Sequence, residues 1–455
     1  MSVQRMVTRC ALVAMCAGLI FPAQALRAAP AHAAVTLTIA TVDNPQMLDM
    51  EGVTSDFTKK YGINVKYVTL TENDVRAKVT TDVATGGGQF DLATVGTYEV
   101  PIWAKKNWVV NLDPYFSGLS AAAAAAYDKS DLLPKVRLGL SYNGHLYALP
   151  FYGESSFTMY NKSIFKAAGL TMPLHPTWDQ IAVFAKKLSN PGKGTAGIVL
   201  RGTPGWGEMG APLTTVINTF GGSWFDMSWK PQLTTSPTKD AIAFYLNLLK
   251  SYGEPGAANA GFTESERAFS QGKGAMWVDA TSAAGLVTDA SQSKVASQVG
   301  FAFSPTKATP KGSHWLWAWS LAMESSGKHK AEAFKFLQWA TSKDYIKLIA
   351  AKKGWGNVPP GTRLSTFNNP SYQQAAPYWK IILDSMNTAD PTNATLHKVP
   401  YVGVQFVGIP EFQQIGDRVT QNLSGVLSGG TTVDAALTLS QNQVTRIMTQ
   451  SGYLK

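Results

Sequence analysis

Apolar residues recur at two spacings along this chain, and the two spacings take turns. Residues 35–41 read Val-Thr-Leu-Thr-Ile-Ala-Thr, a run that predicts a first strand, and a helix is expected over 45–61. Ile63, Val65 and Tyr67 alternate in a second strand. Val75, Val79 and Val83 then form one stripe of a second helix, which stops at Gly86-Gly87-Gly88, and residues 92–95 make a third strand. Strands separated by helices require right-handed crossovers and a mainly parallel sheet. In such a sheet the ligand crevice lies beyond the carboxyl ends of the strands. That rule points to Asp43-Asn44 and to Gly96-Thr97-Tyr98-Glu99 as a binding edge.

Further along, Asn143-Gly144 marks a hairpin, and the Pro- and Gly-containing stretch from Leu149 to Ser156 reads as a crossing into a second domain. Thr177 with Gln180 forms a capping box for a helix ending near Leu188, residues 197–200 read as a strand, and 237–252 as a helix. Strand patterns at 299–302 and 315–322 signal a return to the first domain, followed by helices over 330–340 and 343–352. Three helices are expected between 369 and 453, rejoining the second domain. The fold class that follows is α/β, with two lobes joined by several strands and a ligand cleft between them. One lobe takes residues 34–148 and 299–350, the other 149–298 and 351–455. Such a hinge closes around a ligand.

Composition and charge narrow the class of partner. Arg5 and Arg9 precede an uncharged stretch from Cys10 to Phe21, and small residues around Ala31-His32-Ala33 offer a cleavage site, so residues 1–33 read as a signal peptide. The apolar part is shorter than the roughly 20 residues of a membrane span, which favours a cleaved leader and a soluble exported protein. Both cysteines, Cys10 and Cys16, fall inside that leader. Export without disulfides points to a bacterial envelope and to a fold held by a large core. The formal charge of +10 falls to +7 without Arg5, Arg9 and Arg27. The remaining basic residues are spread thinly, with doublets such as Lys59-Lys60 and Lys186-Lys187 but no long basic run, which disfavours nucleic acid as a partner.

The candidate chemistry is unusual in one respect. Three times a tryptophan is followed two residues later by an acid: Trp206-Gly207-Glu208, Trp224-Phe225-Asp226 and Trp277-Val278-Asp279. Indole faces suit the C–H faces of a polyhydroxylated molecule, and carboxylates accept its hydroxyls. The competing reading is that each indole fills the core and each acid caps a turn. Catalytic signatures are missing. No G-x-S-x-G elbow occurs, and His145, His175, His314, His329 and His397 show no metal spacing, so neither a catalytic residue, a metal nor a cofactor is expected. Glu154, Glu208, Asp226 and Asp279 leave a secreted glycoside hydrolase open, because carboxylate separation is invisible in sequence. Gly205-Trp206-Gly207-Glu208-Met209-Gly210 matches G-x-G-x-x-G, but a bulky indole occupies the turn that would approach a pyrophosphate.

The segments Thr97-Tyr98-Glu99-Val100-Pro101-Ile102-Trp103, Leu149-Pro150-Phe151-Tyr152-Gly153-Glu154-Ser155-Ser156, Ala275-Met276-Trp277-Val278-Asp279-Ala280-Thr281 and Gly312-Ser313-His314-Trp315-Leu316-Trp317-Ala318-Trp319-Ser320 resemble those of periplasmic solute-binding proteins that serve ABC importers. Gly354-Trp355-Gly356-Asn357-Val358-Pro359-Pro360 and Pro400-Tyr401-Val402-Gly403-Val404-Gln405-Phe406 extend the likeness over the rest of the chain. Within that family the chain is most similar to the branch that binds polyols such as sorbitol and mannitol. The resemblance implies the periplasmic binding protein-like II fold, no catalysis, a periplasmic monomer and an ABC permease as partner. A polyol is the expected cargo, with a mono- or disaccharide as the alternative. It also implies ligand contacts from Asn44, Glu99, Tyr152, Glu154, Trp206, Trp224, Trp277, Asp279, Trp317 and Trp355, and the chemistry of a flexible polyol adds the amide of Asn357 as a hydroxyl partner. Trp317 and Trp319 share one side of a strand, so one of that pair is a candidate for the core.

Overall fold

A computed structural model describes residues 34–455, so the leader expected over 1–33 lies outside the described residues. Thr36–Val42 (β1) and Asn64–Leu70 (β2) run parallel in continuous register, and Leu92–Val95 (β3) pairs with the other side of β1. The connecting helices are Pro45–Tyr61 (α1) and Glu72–Thr85 (α2). Proline at its first position opens α1, and Gly62 closes it in the left-handed region. The Thr71 hydroxyl accepts the Asp74 N–H at the start of α2. The carboxyl ends of β1 and β3 therefore share one edge of the sheet.

Ser141–Tyr142 (β4) and His145–Leu146 (β5) form the hairpin about Asn143-Gly144. Ala148–Glu154 (β6) returns to the first sheet as its edge strand, next to Trp317–Met323 (β10), giving the order β2-β1-β3-β10-β6. The β6–β10 register slips between Trp319 and Ser320, which face Tyr152 and Pro150 respectively. A proline, which has no N–H for the ladder, is accommodated at such an irregularity on an edge strand. The second sheet is smaller. Ser156–Asn161 (β7) lies between Met276–Ala280 (β8) and Val299–Phe303 (β9), both antiparallel to it. Around it lie the helices Trp178–Leu188, Gly210–Thr219, Ser236–Tyr252, Phe412–Leu427 and Val433–Gln450.

Several boundaries differ from the sequence expectation. β6 keeps its pairing with β10 through Glu154, so the chain leaves the first lobe at Ser155 rather than at 149. β9 belongs to the second sheet, not the first, because its antiparallel register with β7 stacks Phe301 on Phe157 with ring centroids 5.2 Å apart. The first lobe resumes only with β10. Residues 197–200 contribute a single bridge, Val199 to Trp277, in place of a strand. Four helices, not three, follow residue 369: Pro370–Ala375, Trp379–Thr388, Phe412–Leu427 and Val433–Gln450.

Three stretches link the lobes: Ser155 between β6 and β7, residues 304–316 between β9 and β10, and the segment beyond the helix Lys343–Lys353. The third lies first along the end of β6 and on the first lobe, through bare backbone. Gly153 donates its N–H to the Pro360 carbonyl at 2.9 Å, and a Cβ added to Gly361 would lie 2.0 Å from the Gly153 carbonyl oxygen.

Candidate functional site

A narrow cavity of about 30 Å³ lies where the two lobes meet, lined by Glu72, Arg76, Glu154, Trp317 and Trp319 on one side and by Arg201, Trp206, Gly207, Ala211, Trp315 and Gln405 on the other. Each wall follows from the topology. Because β10 runs antiparallel to β3 and β6, its start lies at the same edge as their ends. Trp317 and Trp319, two residues apart, share a face there, with their rings edge to face at 5.4 Å. Glu154 ends β6. Glu72 and Arg76 lie one turn apart in α2. From the second lobe, Arg201 follows the bridge at Val199, and the loop from Gly205 carries Trp206.

Glycines make room for this wall. A Cβ at Gly96 would sit 2.0 Å from the Trp317 ring, and one at Gly207 would sit 2.8 Å from the Arg76 guanidinium carbon. Thus the glycine-rich loop lets its backbone approach the arginine closely.

Two arginines organise the charge. Arg76 reaches Glu72 at 3.1 Å and Glu99 at 3.0 Å, and its guanidinium lies 4.2 Å from the Trp206 ring and 4.7 Å from the Trp319 ring. Arg201 takes Asp279 through two hydrogen bonds of 2.9 and 2.6 Å, approaches Glu208 at 3.6 Å, and donates to the Gly207 carbonyl at 3.1 Å. Burial pushes Glu154 and Glu208 up to about 8, the second also through the Glu72 charge. Burial raises Glu99 as well, against the pull of Arg76.

The cavity lining also carries polar atoms with no partner. Arg76 Nε, Trp206 Nε1 and Trp315 Nε1 are buried donors, and Gln405 Oε1 is a buried acceptor, all without a hydrogen bond. Such atoms cost about 1–3 kcal/mol each when left unmet, so their gathering at one cavity marks it as a place to receive hydrogen bonds. Direct contacts hold the lobes together beside it. The Tyr98 hydroxyl donates to the Ile409 carbonyl at 2.9 Å and accepts the Gln413 N–H at 3.1 Å, while its ring meets Trp206 at 4.5 Å. Asn73 donates to the Pro204 carbonyl at 3.1 Å.

Residues 44–347 match the family model described as bacterial extracellular solute-binding protein. The chain belongs to that family. This solute-binding protein is 48% identical over 426 residues to a mannitol-binding protein of Pseudomonas aeruginosa, covering 93% of this chain and 96% of the relative. A crystal structure of an ABC transporter solute-binding protein from Agrobacterium vitis with bound D-mannitol superposes with a TM-score of 0.90 at 52% identity, covering 93% of this chain and all of that one. One from Agrobacterium radiobacter in complex with ribitol shares the fold, with a TM-score of 0.79 at 24% identity, over 91% of this chain and 98% of that one. The two lobes, multi-strand hinge and intervening cleft are those of the periplasmic binding proteins.

The residues singled out in the sequence distribute as follows. Glu154, Trp206 and Trp317 line the cavity, and so does Trp319, so neither member of the β10 pair is left to the core alone. Asn44 donates to the Tyr152 hydroxyl at 2.8 Å beneath the hinge. Glu99 stands behind Arg76. Asp279, fully buried, stands behind Arg201, and Trp277 donates its indole N–H to Asp279 at 3.2 Å while packing on Phe262 and Phe269. Trp224 is enclosed in the second lobe, donating to Thr214 at 3.1 Å, and lies outside the cavity lining. Asn357 lines a second, larger cavity together with Gln46 and Ser282, and donates to Asp289 at 3.1 Å, with Trp355 two residues before it on the same short turn. His314 is half-buried, lowered to about 4 by loss of solvation and by His175, and its Nδ1 lies 2.8 Å from the Thr388 hydroxyl.

The three tryptophan–acid pairs therefore have three different roles. On β8 the two-residue spacing puts Trp277 and Asp279 on one face, where they bond each other. Asp226 caps a turn by accepting the Ser228 and Lys230 N–H groups at 2.8 and 3.0 Å. Only the pair Trp206 and Glu208 reaches the cavity region, the acid accepting the Phe262 N–H at 3.2 Å. Sequence reasoning missed Glu72, Arg76 and Arg201 and did not name Trp315 or Gln405 as site residues. Arg201 had a usable signal, a charged residue directly after an apolar run ending at a predicted strand's carboxyl end. Arg76 had none, since a charge beside a helical apolar stripe ordinarily faces water.

Proposed function

We propose that this chain captures a linear polyol of the sorbitol, mannitol or arabitol kind in the interlobe cavity and hands it unchanged to an ABC permease. The observation that carries this reading is the set of unpartnered donors and acceptor on Arg76, Trp206, Trp315 and Gln405, beside the carboxylates of Glu72 and Glu154. A polyol hydroxyl both donates and accepts, so one chain of hydroxyls satisfies all of them. The indoles of Trp206, Trp315, Trp317 and Trp319 exclude water around those bonds. Hydrogen bonds to charged groups contribute about 1.5–3 kcal/mol, and three or four support micromolar affinity, about 8 kcal/mol. The mannitol ligands of the two relatives of about half identity agree with this choice.

The chain acts as an exported, periplasmic monomer, with the leader at 1–33 directing it there and the rims of the two lobes meeting the permease. Chemistry on the guest is not part of the reading, because Asp279 and Glu208 are committed to Arg201 and Glu72 to Arg76. Calorimetric titration with D-mannitol, sorbitol, arabitol, glucose and maltose tests it. The polyols should bind tightest and be recovered intact. A preference for maltose, or turnover of any guest, would overturn it.

A further inference from the structure

Five carboxylates and two guanidiniums converge on the cavity, and they do not pair evenly. Arg76 takes Glu72 and Glu99, and Arg201 takes Asp279 and Glu208. Glu154 is the remainder. It lines the cavity and is buried, and it accepts the Ser282 hydroxyl, but among the described residues no cation lies within ion-pair distance of it. Each arginine already faces two acids, so the open Nε–H of Arg76 is a donor on a charge that is already matched. The cavity thus carries an uncompensated carboxyl and no uncommitted cation.

We infer that Glu154 forms a counter-ion subsite, so that the cavity accepts a linear polyol bearing a terminal primary ammonium, placed against Glu154, and rejects polyols that end in a carboxylate or phosphate. This rests on the reading of the cavity as a polyol site and adds a second class of guest to it. An ammonium replaces a terminal hydroxyl atom for atom and brings three donors where the hydroxyl brings one. Its charge meets the carboxyl in a water-poor space, where an opposite charge counts for more than at the surface. An anionic terminus would meet the carboxyl excess with no free donor cation.

The charged and titratable groups facing Glu154 set the pH dependence. Burial and the acids Asp279 and Glu72 hold its proton on, while the Ser282 hydroxyl and Arg201 favour the ionised form, and the balance places it up to about 8. Tyr152, two residues earlier on β6, stays protonated throughout, pushed up by burial. An arriving ammonium ionises Glu154, and the proton leaves to solvent. An alkylammonium keeps its charge up to a pH of roughly 10. Affinity for the amino-polyol therefore climbs from pH 6 to pH 8.

Titrations with 1-amino-1-deoxy-sorbitol, D-mannitol, sorbitol and gluconate at pH 6, 7 and 8 test this. The amino-polyol should bind within tenfold of mannitol at pH 8 and at least a hundredfold tighter than gluconate. Relative to mannitol, it should gain at least tenfold between pH 6 and pH 8. Glu154→Gln should lower the ratio of amino-polyol to mannitol affinity at least tenfold and remove the pH trend. If mannitol binds while the amino-polyol binds no better than gluconate, or if its affinity relative to mannitol is flat with pH, the inference falls and the polyol reading stands. If neither mannitol nor sorbitol binds, the polyol reading itself falls. The wild-type pH series decides the matter even if the substituted protein does not fold.

Discussion

Arg201 grips Asp279 through two parallel hydrogen bonds, Nε to Oδ2 at 2.9 Å and the terminal nitrogen to Oδ1 at 2.6 Å, with both side chains shut away from solvent. The acid thereby fixes the plane of the guanidinium that lines the cavity. Asp279→Ala should cost about 3–5 kcal/mol of stability, because it leaves a buried charge without its main partner. Polyol affinity should fall more than tenfold as Arg201 reorients, an effect of about 1.4 kcal/mol or more. Urea unfolding and calorimetry measure the two losses. Trp277→Ala should also destabilise, by about 3–5 kcal/mol through the void it leaves, with less effect on binding per unit of stability lost.

Gly96→Ala should abolish detectable polyol binding while leaving a folded protein. The new methyl would occupy the place of the Trp317 ring, 2.0 Å away, and the indole must then swing into the space meant for the guest. Titration and far-ultraviolet dichroism together check this. Intact affinity would mean that Trp317 can retreat elsewhere.

Tyr98→Phe removes the hydroxyl that serves both Ile409 and Gln413 across the lobes. The closed arrangement should weaken by about 1 kcal/mol, or about fivefold in polyol affinity, with the ring contact to Trp206 preserved. Small-angle scattering of the ligand-free variant should show a larger radius of gyration than the wild type.

Glu154 and Glu208, pushed up to about 8, bind protons in the folded protein that the unfolded chain releases near 4.3. Their contribution to stability is complete below that unfolded value and is lost as pH rises through about 8. His314, held at about 4, acts oppositely between there and its ordinary value, losing stability as pH falls. The comparison that isolates the acids is wild type against Glu154→Gln with Glu208→Gln. Chemical denaturation at pH 5, 6.5 and 8 should show the wild type losing stability relative to the double variant as pH rises.

The first two helices and β2 were legible by period, and β1 and β3, buried on both faces over most of their length, as short apolar runs between those helices. β9 was assigned to the wrong lobe because an apolar run of five residues carries no sign of its partner. Its neighbour β7 lies more than a hundred residues earlier, and the Phe301–Phe157 stack that fixes the pairing is a tertiary fact. The tryptophan-rich segment of β10 was legible as cleft material. The pairing of Trp277 with Asp279 was not, since the same two-residue spacing serves a ligand or the residues themselves. Arg76 and Arg201 escaped notice for a related reason: a buried arginine is recognised by the acids around it, and Glu72, Glu99, Glu208 and Asp279 are brought there only by folding.

Beside the first crossing, Gly153 and Gly361 meet with no side chain between them, and the Gly153 N–H bonds the Pro360 carbonyl at 2.9 Å. Residues 361–365 are in turn anchored to the first lobe, Arg363 on Asp131 and Ser365 on the same carboxylate. The outgoing strand is therefore clamped almost to its last residue, so that any swing of the halves begins beyond the clamp, and a bulkier residue at either glycine would pry the clamp open.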